Sequence, residues 1–126
     1  MSDFDAEPYA EGIRELNRLE AERIGHRLEI AKAEALRLAE AIAAADPAVR
    51  RILLFGSVAS GKPSGEGFDI DLAIDGGDLY AAMDIVEGSE FEIDLVDLSR
   101  LPASMRRIVE VRGQTLVGPI ANRFGL

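Results

Sequence analysis

Asp46-Pro47 divides this chain into two textures, and any fold it adopts must change element there. The residue before a proline is pushed out of the helical region, so a helix arriving from the N-terminal side stops at this pair. From Pro8 to Ala45 the chain has no other proline and is rich in Ala, Leu, Glu and Arg, which lose little on entering a helix. Pro8 itself suits a first helical position. The expectation is one helix over residues 8–45, roughly 57 Å long if unbroken. Ile24, Leu28, Ala31, Ala35, Leu38 and Ile42 recur in steps of four and three, which is coiled-coil spacing. Ile13 and Leu16 leave that register, and Gly25 is a candidate break. Two readings therefore stand for the N-terminal half: packing on the domain, or contact with another chain such as a second copy.

Beyond Pro47 the period shortens. Arg51 to Phe55 is a short apolar run ended by Gly56, which reads as a buried strand. Ser57 to Gly67 is rich in glycine and contains Pro63, so it reads as loop. Phe68 to Ile74 and Phe91 to Leu98 alternate and read as strands. Asp78 is a fair N-cap for a helix reaching about Glu87. Pro102 opens a second helix to about Val111, Gly113 closes it, and Thr115-Leu116-Val117 makes a last short strand. The fold class expected is α/β (α+β): a small mixed β-sheet with flanking helices, preceded by a long N-terminal helix. With 126 residues the chain is expected to be a single domain over 1–126, its core at 51–118.

Charge narrows the function. The net charge is −9, but residues 51–99 hold 11 acids against 2 bases while residues 100–126 hold 1 acid against 5 bases. So acidic a middle repels a phosphate backbone, and direct nucleic-acid binding is not expected. It suits divalent cations or a basic partner. Zero cysteines exclude a thiolate site. No apolar run is long enough to span a membrane and Met1 to Asp5 is no signal peptide, so a cytoplasmic location is expected.

The acids of the second strand carry the chemistry. Strand side chains alternate, so Asp69 and Asp71 share a face while Ile70, Leu72 and Ile74 take the other. Asp94 repeats the arrangement on the third strand and stands beside them if the two strands are neighbours. Three carboxylates together repel unless a hard cation is held between them, and Mg²⁺ takes such oxygen ligands. Glu92 shares the Asp94 face and is a reserve ligand. Gly56-Ser57 supplies the complementary half: glycine admits a phosphate close to the backbone, successive N–H groups cradle an anion, and the Ser57 hydroxyl adds a donor. Asp75 ends its strand and reads as a turn residue, Asp97 also lies on the third strand, and His26 reads as a surface residue and Tyr9 and Tyr80 as packing residues. Arg106, Arg107 and Arg112 read as a solvated face, or as groups reaching a triphosphate or a partner.

The set Leu54-Phe55-Gly56-Ser57-Val58-Ala59, Asp69-Ile70-Asp71-Leu72 and Ile93-Asp94-Leu95-Val96 resembles the minimal nucleotidyltransferases of the polymerase-beta-like superfamily. The likeness covers about Arg51 to Gly118. It implies the nucleotidyltransferase fold and transfer of AMP from ATP to a protein hydroxyl. By the same resemblance Gly56 and Ser57 hold the triphosphate, and Asp69 and Asp71 bind two Mg²⁺ ions. Asp94 shares one metal and helps deprotonate the acceptor. Phe68 stands where this family often has Ser, and Ala59-Ser60 where a base is common, leaving Lys62 as the candidate substitute for that base. Many such proteins are antitoxins paired with a HEPN-domain toxin, and some AMPylate it. The alternatives are a non-catalytic antitoxin that masks the toxin, and a homodimer, joined through the long helix, that merely binds nucleotide.

Overall fold

The computed structural model describes residues 7–63 and 67–119; Gly65 of the expected loop and the Met1–Asp5 segment lie outside them. Helix α1 (Glu7–Ala45) runs unbroken through Gly25. It is followed by β1 (Arg51–Phe55), α2 (Gly56–Ser60), β2 (Ile70–Asp75), α3 (Leu79–Val86), β3 (Ile93–Asp97), a 3₁₀ turn (Leu98–Arg100), α4 (Ala103–Arg112) and β4 (Gln114–Val117). The strands form one mixed sheet in the order β3-β2-β1-β4. β1 lies antiparallel to β2 and β4, whereas β2 and β3 run parallel, with α3 as the crossover between them.

Alternation along the strands sorts the sheet into two faces. Ile52, Leu54, Ile70, Leu72 and Ile74 pack with Leu28, Ala31, Ala35, Leu38 and Ile42 of α1 and with Ala82 and Val86 of α3. Leu53 and Ala73 take the other face with Leu98 and with Val109 of α4. The four-and-three stripe of α1 is therefore its sheet-facing stripe, and it begins at Ile24. Every residue from Glu11 to Arg23 is exposed, so the N-terminal half of α1 does not pack on the domain. That half leaves the domain beside Phe91, where the Arg27 guanidinium sits 4.1 Å from the ring centroid.

Several local expectations change. The segment after Ser57 is partly helical: Val58 is fully buried, Ser60 Oγ donates to the Ser57 carbonyl at 3.1 Å, and Gly61 ends the turn in the left-handed conformation. β2 begins at Ile70 rather than Phe68, because Phe68 turns to stack on Phe91 at 6.5 Å. Asp78 caps α3 as expected, accepting from the Tyr80 amide at 2.9 Å. Tyr9 and Tyr80, expected to pack, are both exposed. Among the described residues no helix is long and apolar enough to cross a membrane.

Asp75 is no bare strand-end acid. It ends β2 and accepts from Arg50 at 2.6 Å and Arg51 at 3.1 Å, while Arg51 also reaches Glu110 of α4 at 3.1 Å. Burial pushes the Asp75 carboxyl up, but the two arginine hydrogen bonds outweigh it and hold it below the usual carboxylate range. Such a group stabilises the fold above its unfolded-state pKa, and the gain is lost as pH falls through the lower folded value. Asp75→Asn is expected to cost about 1–2 kcal/mol at pH 7, with the deficit shrinking toward pH 3 in urea melts. A deficit that stayed constant across that range would show packing rather than charge.

Candidate functional site

β1 and β2 bring the two halves of the sequence motif together. Phe55, the last residue of β1, is in register with Asp71, so Gly56 follows immediately beside the Asp71 side chain. Gly56 has φ +76, and a Cβ placed on it would stand 2.1 Å from Asp71 Oδ2. Only glycine lets the chain turn here with the carboxylate lying against its backbone. Ser57 is half-buried in the first turn of α2. Lys62 follows the helix, its amide donating to the Ser57 carbonyl at 3.2 Å, and is exposed.

The parallel pairing of β2 with β3 places Asp71 in register with Asp94. Both belong to the sheet face covered by α4, since their neighbours two residues on, Ala73 and Val96, pack with Val109. Asp69 lies just before β2 and is exposed, while the next amide, Ile70 N, donates to the Glu92 carbonyl at 2.9 Å. Glu92 and Asp94 are exposed and Asp71 is half-buried. The Asp71 carboxyl is pushed up to about 6, first by burial and then by the charge of Asp94, a hydrogen bond with Asp94 and the charge of Asp69.

Asp71 and Asp75 make an internal comparison. They lie four residues apart on one face of one strand, yet Asp75 is held by two arginines, whereas every influence on Asp71 disfavours its charge. Among the described residues no arginine or lysine bridges Asp69, Asp71 or Asp94. The fold thus concentrates negative charge here without neutralising it, the condition under which a bound cation gains most. An all-oxygen donor set suits Mg²⁺. Asp71 and Asp94 come together with the Asp69 charge acting on Asp71, and among the described residues no three acidic or histidine side chains converge into a ready-made ion site.

Two features of the site escape a reading by motif. Arg27 of α1, Phe91 and Phe68 form a stack that fixes the chain just before Asp69. Ser89 Oγ donates to Glu34 Oε2 of α1 at 2.6 Å and accepts from the Phe91 amide at 3.2 Å, which fixes the entry to β3. The alternating apolar positions placed both phenylalanines in strands, and nothing in the spacing ties them to residue 27.

No protein-family profile matches the chain, and no curated protein matches it. Solved structures do. A toxin–antitoxin complex with AMP-PNP has a chain that superposes with a TM-score of 0.56 at 24% identity, covering 67% of this chain and 73% of that one. A mutant of the toxin–antitoxin MntA-HpeT gives a TM-score of 0.52 at 24% identity, covering 70% and 72%. A complex of tri-AMPylated Shewanella oneidensis HEPN toxin with MNT antitoxin aligns at 22% identity over 73% of both chains, with a TM-score of 0.49, and adds nothing to the fold assignment. At these identities what is shared is the fold. The small mixed sheet behind a long helix, expected as a nucleotidyltransferase fold, is the fold of chains in solved toxin–antitoxin complexes.

Proposed function

We propose that this protein is a metal-dependent nucleotidyltransferase that moves AMP from ATP to a protein hydroxyl, acting in the cytoplasm as the antitoxin of a HEPN-domain toxin. The observation that carries this reading is the contact of Gly56 with Asp71. It joins an anion-cradling turn to an uncompensated carboxylate pair, as nucleotidyl transfer requires. The fold shared with a toxin–antitoxin complex that holds AMP-PNP supports both the nucleotide and the partner. Residues 1–126 act as one unit, with the catalytic core at 51–118.

In this reading the Gly56 and Ser57 amides, with the Ser57 hydroxyl, hold the β- and γ-phosphates, and Lys62 reaches them from the end of α2. Asp69, Asp71 and Asp94 would hold two Mg²⁺ ions, which neutralise phosphate charge and steady the departing pyrophosphate. The acceptor hydroxyl oxygen bonds to the α-phosphorus as the bridging bond to the β-phosphate breaks, and pyrophosphate leaves with the bridging oxygen. The hydroxyl proton passes to Asp94, which stands in register with Asp71 on the neighbouring strand. The exposed N-terminal half of α1 offers a contact surface for a second copy.

The test is incubation with Mg²⁺ and α-labelled ATP, alone and with a HEPN-domain toxin, the product of the neighbouring gene being the first to try. Label on the toxin is expected, and label lost with Asp94→Asn. A stable complex with no label on either protein would favour the masking antitoxin instead.

A further inference from the structure

Helix α4 covers the sheet face that bears Asp71 and Asp94, yet only part of it is used for packing. Val109 is buried against Leu53 and Ala73, whereas Met105 is 52% and Ile108 55% exposed. Between α2 and α4 opens a cavity of about 330 Å³, whose walls include Phe55, Gly56, Ala59, Met105 and Ile108. Its wall at Gly56 is the same residue that abuts the Asp71 carboxylate, so the cavity adjoins the reacting centre. On the outer side of Ile108 a second hollow of about 370 Å³ is flanked by Arg107 and Arg112. The one acid of α4, Glu110, is held by Arg51 at 3.1 Å, which leaves Arg107 and Arg112, beside Ile108, to set the sign of this face.

We propose that this face of α4 docks the acceptor protein, through an apolar side chain that enters the cavity between α2 and α4 and an acidic rim that meets Arg107 and Arg112. The inference rests on the transferase reading above and adds where the acceptor binds. An apolar centre with a charged border is the anatomy of a protein-binding patch, and the border selects the sign of the partner. A second copy is the poorer occupant, because a two-fold contact through α4 would set arginines against the same arginines of the copy. Position favours the acceptor as well: a partner seated on Ile108 is anchored beside Gly56 and hands its hydroxyl to the carboxylate pair without crossing the sheet.

The test uses the full chain and the HEPN-domain toxin as the acceptor probe. Binding is measured by calorimetry without nucleotide, and KM for toxin and for ATP by transfer of labelled AMP. Ile108→Asp and Arg107→Glu are each expected to weaken toxin binding at least tenfold and raise the toxin KM in step. KM for ATP and kcat are expected to stay within twofold, and Arg107→Lys to restore binding. Leu16→Asp, on the exposed half of α1, controls for a general loss of affinity and is expected to change binding less than threefold. Unchanged toxin binding in Ile108→Asp overturns the proposal. So does a raised KM for ATP with unchanged toxin KM, which would make the cavity the nucleobase site, and so does a dimer in sedimentation that Ile108→Asp dissolves. The catalytic reading fails separately: toxin binding that is lost in Ile108→Asp, with no label transferred by the native chain, upholds the docking face and removes the transferase.

Discussion

Gly56→Ala is expected to lower AMP transfer at least a hundredfold while leaving the chain folded. Two costs meet at this position. An alanine at φ +76 carries strain of about 1–2 kcal/mol, because Cβ crowds the following carbonyl in the left-handed region. Its Cβ would also stand 2.1 Å from Asp71 Oδ2, so the carboxylate has to rotate away. The rest of the domain needs no repacking, since the obstructed atom is the end of a side chain and not backbone. The damage therefore falls on the chemistry: the displaced group is the one that couples to Asp94, and electrostatic preorganisation at such a site is worth roughly two to three orders of magnitude in rate. The thermal midpoint should drop by about 3–12 °C for a chain of this size, which leaves it folded at the assay temperature. Far-ultraviolet circular dichroism and a transfer assay on the same preparation check both halves. Transfer within threefold of the native rate would mean that the Gly56–Asp71 contact is packing alone.

The contact behind that prediction was half legible in the sequence. Gly56-Ser57 and Asp69-x-Asp71 each announced a role, and strand alternation put Asp69 and Asp71 on one face. What alternation cannot provide is register. Placing Phe55 opposite Asp71 depends on where the turn between β1 and β2 closes, a property of the whole segment from Gly56 to Asp69 and not of any motif within it. The neighbouring of β2 and β3 was a conditional expectation, and the parallel crossover through α3 fulfils it with Asp71 beside Asp94. Asp69 fares differently. Alternation assumed that it lies in a strand, but β2 begins one residue later at Ile70, so Asp69 reaches Asp71 by its charge from just outside the sheet.

Helix α1 and Asp75 separate what composition can and cannot say. Helix formers predicted an unbroken helix, and Gly25 fails to interrupt it because one glycine costs only about 1 kcal/mol in a helix that packing already holds from Ile24 onward. The four-and-three stripe left open whether the helix packs on its own sheet or on another chain, and the fold uses the stripe from Ile24 onward for the sheet. Asp75 read as a mere turn residue because side-chain identity carries no record of partners. Arg50 and Arg51 sit 25 and 24 residues earlier in the chain, and only the antiparallel pairing of β1 with β2 brings them to it.

That distinction between a paired and an unpaired acid yields the second large effect. Asp71→Asn is expected to reduce transfer by about a thousandfold and, in EDTA, to raise stability at pH 8. The sign follows from linkage. Asp71 has a folded pKa of about 6, above its ordinary value, so the native protein prefers the protonated carboxyl. The stability this contributes is fully present below the unfolded value near 4 and is lost as pH rises through about 6. Native and variant proteins should therefore melt together near pH 4, diverge between pH 4 and 6, and differ by a constant amount above pH 7. Because Asp71 is only half-buried, solvent screening reduces that difference to about 1 kcal/mol. Millimolar Mg²⁺ should stabilise the native chain at pH 8 and the variant less, which narrows or inverts the gap. Thermal melts from pH 4 to 8, with EDTA and with Mg²⁺, read all of this without an acceptor protein. A variant less stable than the native chain at pH 8 in EDTA would mean that Asp71 is held by a partner after all, and the assignment of the carboxylate pair as a cation-seeking centre would fall with it.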